Sequence, residues 1–389
     1  MTWWSALVAS ARREYRFLRG SPWDIAQITW LPLALLVMIA IVFAATVLRN
    51  VPIAVVDDDR SALSRQLIRH LDVAPGVHVF AVPASLNEAW TLIRGLQVYA
   101  VVFIPRDATR AVERGESATV IAYYNASYLA TGQAASREIA AVVQTVNAST
   151  SAARATYVPG RIGVRAAPVR VQSSILFNPA RSYEHYLCGL LFPAILQLAL
   201  SIAAVGALGR ELRDGSAREW LEGSGRRLLP AVIGKLAPYL LLFTLYGLIG
   251  IVWIDYVRGD GIAGNLAVLM SGYALMHLAY AAVGLLLVGL TRNMGTALSL
   301  VGLYSGMALG FSGGTFPLIE GSLFSQVWSK LMPFTAYVKL QTQQIDLGAA
   351  VTASLWQLGT LVLFAVIAGA SGLHIYGRAA RDPLSWGRR

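Results

Sequence analysis

Apolar residues fall into six long runs, roughly 25–47, 186–208, 236–256, 264–290, 295–313 and 353–376. Each has the ~20 residues a helix needs to cross the hydrocarbon core of a bilayer. Between the first and second runs lies a polar stretch, about 50–185, too long for an ordinary loop and expected to fold as a domain. The pattern predicts an α-helical polytopic membrane protein of six transmembrane helices with an inserted α/β domain.

Inside the insert the period changes. Residues 51–56 (VPIAVV) form an apolar run that stops at Asp57-Asp58-Asp59, and Ser61 then opens an amphipathic helix through Leu71, with Leu63, Leu67, Ile68 and Leu71 on one face. A strand at 77–82, a helix near 85–94, a strand at 98–104, a short helix, a strand at 118–124 and a long helix from about 129 to 155 follow. Such alternation favours an α/β or α+β sandwich. The acidic triplet is read as a solvated turn with a helix cap, with a divalent-cation site as the alternative. His70 and His78 read as surface or packing residues.

Composition agrees: 56% of residues are hydrophobic and only 14% charged, against ~25% charged in soluble domains. The net charge of +11 invites a nucleic-acid reading, but its placement argues otherwise. If the first run enters from the cytoplasm, the short inner segments carry 15 Lys or Arg, whereas the two short outer loops hold only Arg258, Lys330 and Lys339. This is the positive-inside distribution, with both termini cytoplasmic. No nucleic-acid partner is expected.

The leader reads as an amphipathic helix, with Trp4, Val8, Ala11, Tyr15 and Leu18 on one face and arginines opposite, lying in the membrane interface beside the anchoring pair Trp3 and Trp4. The first apolar run is longer than a signal-peptide core and is read as a retained anchor. Cys188 is the single cysteine, so neither an intrachain disulfide nor a Cys/His zinc site is expected. The sequons at Asn125 and Asn147 fall in the insert, and 29 Arg against 3 Lys suggests a GC-rich bacterial genome. The expected division is 1–24 interfacial helix, 25–48 first span, 49–185 extracytoplasmic α/β domain, 186–376 five-helix membrane domain and 377–389 cytoplasmic tail. Within the membrane domain lie an inner loop at 209–235 and an outer segment at 314–350.

The spans are poor in chemistry. No Asp, Glu, Lys or Arg lies near the middle of any run, and His277 is the single deep titratable group, read as an interhelical hydrogen-bonding residue. No GxxxxGK[ST] loop occurs; Gly234-Lys235 lacks the upstream glycine. Gly310-Phe311-Ser312-Gly313-Gly314 matches GxSxG and resembles an intramembrane serine protease motif, with His374 as the available base. Ser312 and His374, however, fall at opposite ends of their helices, about 30 Å apart at 1.5 Å per residue, so no catalytic residue is assigned. A membrane-anchored sensor or receptor is the other alternative.

The inner loop after the second run is the most distinctive segment: Arg210-Glu211-Leu212-Arg213-Asp214-Gly215-Ser216-Ala217-Arg218-Glu219-Trp220-Leu221-Glu222. Both charge signs crowd around Trp220 and Leu221, read as exposed apolar anchors of a docking surface; an interfacial amphipathic turn is the alternative. Here the chain resembles the permease subunits of ABC-2 type exporters. The resemblance rests on Arg210-Glu211, Gly215, Leu221 and Gly234-Lys235 in that order, on Phe177-Asn178-Pro179, on Val51 to Asp57 with Arg60-Ser61, and on Ser312-Gly313, Phe316-Pro317, Leu331-Met332-Pro333 and Gly348. Ser216 replaces a threonine of the family pattern, Arg218-Glu219 shifts its second acid, and Gly223-Ser224-Gly225 stands where Thr-Pro is usual.

The resemblance implies a multi-pass permease of the bacterial inner membrane, not itself an enzyme and holding no cofactor, with ATP and Mg on partner ATPase chains. It implies a second permease copy or paralogue, surrounding lipids and a possible periplasmic adaptor. Arg210, Glu211, Arg213, Gly215, Trp220, Leu221 and Glu222 would form the coupling helix, and half-helices at 314–350 would re-enter from outside. The path, walled mainly by the second and fifth spans, has candidate lining residues Asn178, Gln197, Ser201, Tyr304, Ser305 and Ser312, each equally readable as an interhelical hydrogen bond. An apolar wall suggests a lipophilic or amphipathic cargo such as a drug or lipid.

Overall fold

Thr2 opens the first helix, α1 (Trp3–Gly20), by accepting the Ser5 backbone N–H on its side chain. The computed structural model describes residues 1–43, 49–114, 119–124, 129–157, 183–259, 261–315, 318 and 321–387. The chain divides into two compact units, Met1–Thr46 with Ile175–Arg389, and Val47–Ser174. After α1 come α2 (Pro22–Ile28) and α3 (Trp30–Val42), a broken apolar rod.

The second unit begins with β1 (Val51–Asp57), then α4 (Ala62–Val73), β2 (Val77–Ala81), α5 (Leu86–Arg94), β3 (Ala100–Ile104), α6 (Ala108–Glu113), β4 (Ile121–Tyr124) and α7 (Leu129–Tyr157). The strand order is β2-β1-β3-β4, with β1 parallel to both neighbours and β4 antiparallel to β3. Central β1 is apolar on both faces because both are covered. Ile53 and Val55 join Leu67, Leu71 and Ile139 in one core, while Ala54 and Val56 join Ala89 and Val101 in another. The acidic triplet is used up locally. Asp57 accepts the N–H groups of Asp59 and Arg60 (3.1 and 2.9 Å) and the Ser64 hydroxyl (2.7 Å), and Asp59 accepts the Thr109 hydroxyl (2.6 Å). These turn and cap bonds engage Asp57 and Asp59 with nearby backbone N–H groups and hydroxyls, while Asp58 faces Arg106 at 3.7 Å.

The membrane unit resumes with α8 (Tyr183–Arg213), α9 (Ala217–Gly223), α10 (Leu228–Ile251) and a π-helical turn at Val252–Val257. Then follow α11 (Leu266–Thr291), α12 (Met294–Gly306), α13 (Leu323–Lys330), α14 (Pro333–Ile345) and α15 (Val351–Ala379). Among the described residues five helical segments are long and apolar enough to cross a membrane: Pro22–Val42, Glu184–Arg213, Leu228–Val257, Leu266–Thr291 and Val351–Ala379. The protein is therefore a multi-pass helical membrane protein.

The fifth expected span differs. Helix α12 has only 13 residues, about 20 Å at 1.5 Å per residue, short of a ~30 Å hydrocarbon core. Beyond Gly306 the chain breaks into turns: the Ser312 hydroxyl donates to the Leu309 carbonyl at 2.7 Å, and Gly313 takes φ +81°. Glycines at 302, 306, 310, 313 and 314 remove the propensity that would continue the helix. The segment after them folds as a short helix pair, α13 and α14, with α14 almost entirely buried.

Candidate functional site

The leader packs on the protein through a stripe that shares only Leu18 with the apolar face expected to lie in the membrane interface. Ala6, Ser10, Glu14 and Leu18 are buried, while Trp4 is 70% exposed and Val8 and Tyr15 also point outward. The partner is α10, and Gly234 sets the distance: a Cβ there would lie 2.2 Å from the Leu7 carbonyl oxygen. Only glycine permits that approach, and it delivers the next residue, Lys235, to Glu14.

Around Glu14, α1, the end of α8 and the start of α10 are joined by a buried charge network. Lys235 Nζ lies 2.5 Å from Glu14 Oε2 and 2.7 Å from Glu211 Oε1. Arg210 Nη2 is 2.6 Å from Glu14 Oε1, and the Tyr239 hydroxyl donates to the same oxygen at 2.5 Å. Glu211 Oε2 accepts from the Ser216 hydroxyl (2.5 Å) and faces Arg13 at 3.4 Å. All four carboxylate oxygens are therefore engaged. The Arg210 guanidinium also stacks on Phe17 at 3.3 Å from the ring centroid.

Burial pushes the Glu14 carboxyl up, but Lys235 and Arg210, with hydrogen bonds from Lys235 and Tyr239, outweigh it and hold the group below its ordinary value. Two buried acids against two buried bases balance. The arrangement meets the condition for buried ions, that every one be paired and hydrogen-bonded.

Trp220 corrects an expectation. It is 1% exposed, its indole N–H donates to Ser10 Oγ at 2.8 Å, and Ser10 Oγ donates to the Ala231 carbonyl at 2.7 Å. Leu221 is also buried, among Ala217, Leu212 and Val232. The Trp-Leu pair is not a free docking anchor; it fastens α9 to α1 and α10, because an indole with a hydrogen-bond partner inside is stable there. Gly215, at φ +69°, ends α8 in the left-handed conformation that lets α9 turn back. The outward face of the loop is charged. Arg213 pairs with its neighbour Asp214 at 2.7 Å, and Glu222 accepts from Arg218 and Arg226 at 3.1 and 3.4 Å. Those two arginines hold the exposed Glu222 carboxyl below its ordinary value.

The candidate path residues come together on α8 and α12, bonded to each other. Gln197 Nε2 donates to the Ser305 carbonyl at 2.8 Å, Ser201 Oγ to the Gln197 carbonyl at 2.6 Å, and Ser305 Oγ to Ser201 Oγ at 3.2 Å. Tyr304 donates to the Leu331 carbonyl at 2.6 Å, and Ser312 is used in its turn. Of these bonds, Gln197 to Ser305 and Ser305 to Ser201 join α8 to α12. Asn178, with Phe177 and Pro179, lies outside the described residues, as do Phe316, Pro317 and Asn125.

Sequence reasoning missed Glu14, Ser10 and Tyr239, and read Lys235 only as part of a Gly-Lys pair. The available signals were Glu14 as the sole acid among the leader's arginines, and Lys235 as one of three lysines in an arginine-rich chain.

The family model for ABC-2 family transporter proteins matches residues 23–373, and the chain belongs to that family. Such permeases typically work with an ABC ATPase. No curated protein and no solved structure matches the chain.

Proposed function

We propose that this chain is the permease subunit of an ATP-driven exporter in a bacterial inner membrane, with both termini cytoplasmic and the α/β unit outside. Its motor is a separate pair of ATPase chains carrying ATP and Mg. The observation that carries the reading is the buried network of Glu14, Arg210, Glu211 and Lys235. It clamps the loop helix α9, the leader and the ends of two long helices into one body, as a lever must be to pass a push from a soluble motor into the membrane. The coupling surface is then the charged exterior of α9, with Arg218, Glu219, Glu222 and Arg226 exposed, rather than the indole.

A second permease copy or paralogue would close the path against α8 and α12, and the outer unit would receive cargo or meet a periplasmic adaptor. A lipophilic or amphipathic cargo is supported by a groove of about 620 Å³ between α11, α12 and α15, lined by Leu286, Leu303, Met307, Leu363 and Ile367. The test is co-purification of the ATPase with tagged permease. Arg218→Glu with Arg226→Glu should abolish recovery while the permease keeps its thermal stability. Unchanged recovery removes α9 as the coupling surface.

A further inference from the structure

At the end of the membrane unit away from the coupling loop, the start of α8, the π-helical turn after α10 and the end of α14 enclose a cavity of about 330 Å³. Its ionisable lining groups are one imidazole, His185, and two carboxylates, Asp255 and Asp346. His185 Nε2 lies 2.9 Å from Asp346 Oδ1, a hydrogen bond, and Nδ1 lies 3.4 Å from Asp255 Oδ1. The second approach is an electrostatic neighbour and not a hydrogen bond: Asp255 Oδ1 is buried with no hydrogen-bond partner among the described residues.

Asp255 is only 2% exposed, while Trp253, Tyr256 and Val257 of the same turn face outward. The wider π-helical turn swings this one carboxylate inward, and such turns gather at functional sites. The nearby arginine is committed elsewhere, since Arg258 Nη2 pairs with Glu184 Oε2 at 2.8 Å. On its deeper side Asp255 lines a gap of about 20 Å³ with Tyr273 and Tyr337, room for one water, and both tyrosine hydroxyls lack a partner among the described residues.

The lining sets two carboxylates against one imidazole, around an acceptor that has no donor among the described residues. Burial of such a group is costly until a donor arrives. We propose that this cavity binds a protonated amine, whose ammonium donates to Asp255 Oδ1 and is drawn by Asp346, with Leu190, Val338 and Ile345 lining the space for its apolar part. The volume lies at the small end of ligand pockets and suits an amine bearing a short hydrophobic group. A metal ion is disfavoured by geometry, since no His, Cys, Asp and Glu group among the described residues is arranged to hold one.

Calorimetric titration of the purified full chain in nanodiscs near neutral pH tests this, with phenethylamine as probe and 2-phenylethanol as its neutral counterpart. The amine should bind and the alcohol should not. Asp255→Asn should weaken binding by about tenfold or more, the loss expected when a charge-assisted bond is removed. Asp346→Asn, at a less buried position, should weaken it less and serves if the first variant does not fold. Equal binding of amine and alcohol, or wild-type amine affinity in the variants, overturns the proposal. The assay needs neither ATPase nor transport, so it fails or succeeds separately from the exporter reading.

Discussion

The two ends of the membrane unit bury ionisable groups in opposite ways. At the end that carries α9, Glu14 and Glu211 meet Arg210 and Lys235 in equal number, and every carboxylate oxygen has a donor. At the other end Asp255 and Asp346 share one imidazole, and Asp255 Oδ1 has no donor among the described residues. A closed network rigidifies, because opening any member strands its partner in low dielectric. An incomplete one leaves an acceptor waiting for something from outside. The difference sets a saturated cluster, fitted to the proposed lever, against an unsaturated one, fitted to the proposed ligand cavity.

Removing one charge at each end gives the sharpest contrast. Lys235→Ala strands two buried acids and should cost about 3–5 kcal/mol, read as a large fall in thermal midpoint or loss of membrane yield. Asp255→Asn neutralises a buried carboxylate whose Oδ1 has no donor among the described residues, and should leave stability unchanged or raise it when no ligand is present. Similar losses in both variants would end the comparison. Gly234→Ala comes next. Its new Cβ collides with the backbone of α1, so α1 must shift, at about 1–3 kcal/mol; thermal unfolding in detergent measures it.

The pH response should come from the end that carries α9. Glu14 titrates below its ordinary value of 4.5 in the folded chain. Its contribution is therefore present in full above that value and is lost as the pH falls through the lower, folded-state pKa. Glu14→Gln should flatten the acid limb of the stability curve; an unchanged limb would show that the network does not govern it. The smallest effect belongs to the loop exterior. Arg218→Ala removes an exposed pair with Glu222 and should alter stability by less than ~0.5 kcal/mol, even though it sits on the proposed coupling surface.

Much of the architecture was legible along the chain. The apolar runs and the positions of four strands follow from local hydrophobic period, and the structure places them at β1 Val51–Asp57, β2 Val77–Ala81, β3 Ala100–Ile104 and β4 Ile121–Tyr124. The distinctive inner loop was also visible, as a dense alternation of charges around Trp220. The direction in which that tryptophan points was not. Exposed anchor and buried clasp have the same local sequence; the choice depends on Ser10, 210 residues away.

Sequence by itself therefore determined what short-range patterns encode: a multi-pass helical chain, an inserted α/β unit, and the charge-dense loop after α8. Tertiary structure decided which charges are structural and which are open. The leader turned its polar stripe inward because Gly234 admits its backbone and Lys235 and Arg210 neutralise Glu14. The fifth apolar run stopped short because its glycines and Ser312 turn the chain. Asp255 became a candidate ligand group only when a π-helical turn carried it to His185, 70 positions earlier, without supplying it a donor. Hydropathy and periodicity report a residue's own preference, whereas the cost of a buried charge depends on partners that the fold brings from far along the chain.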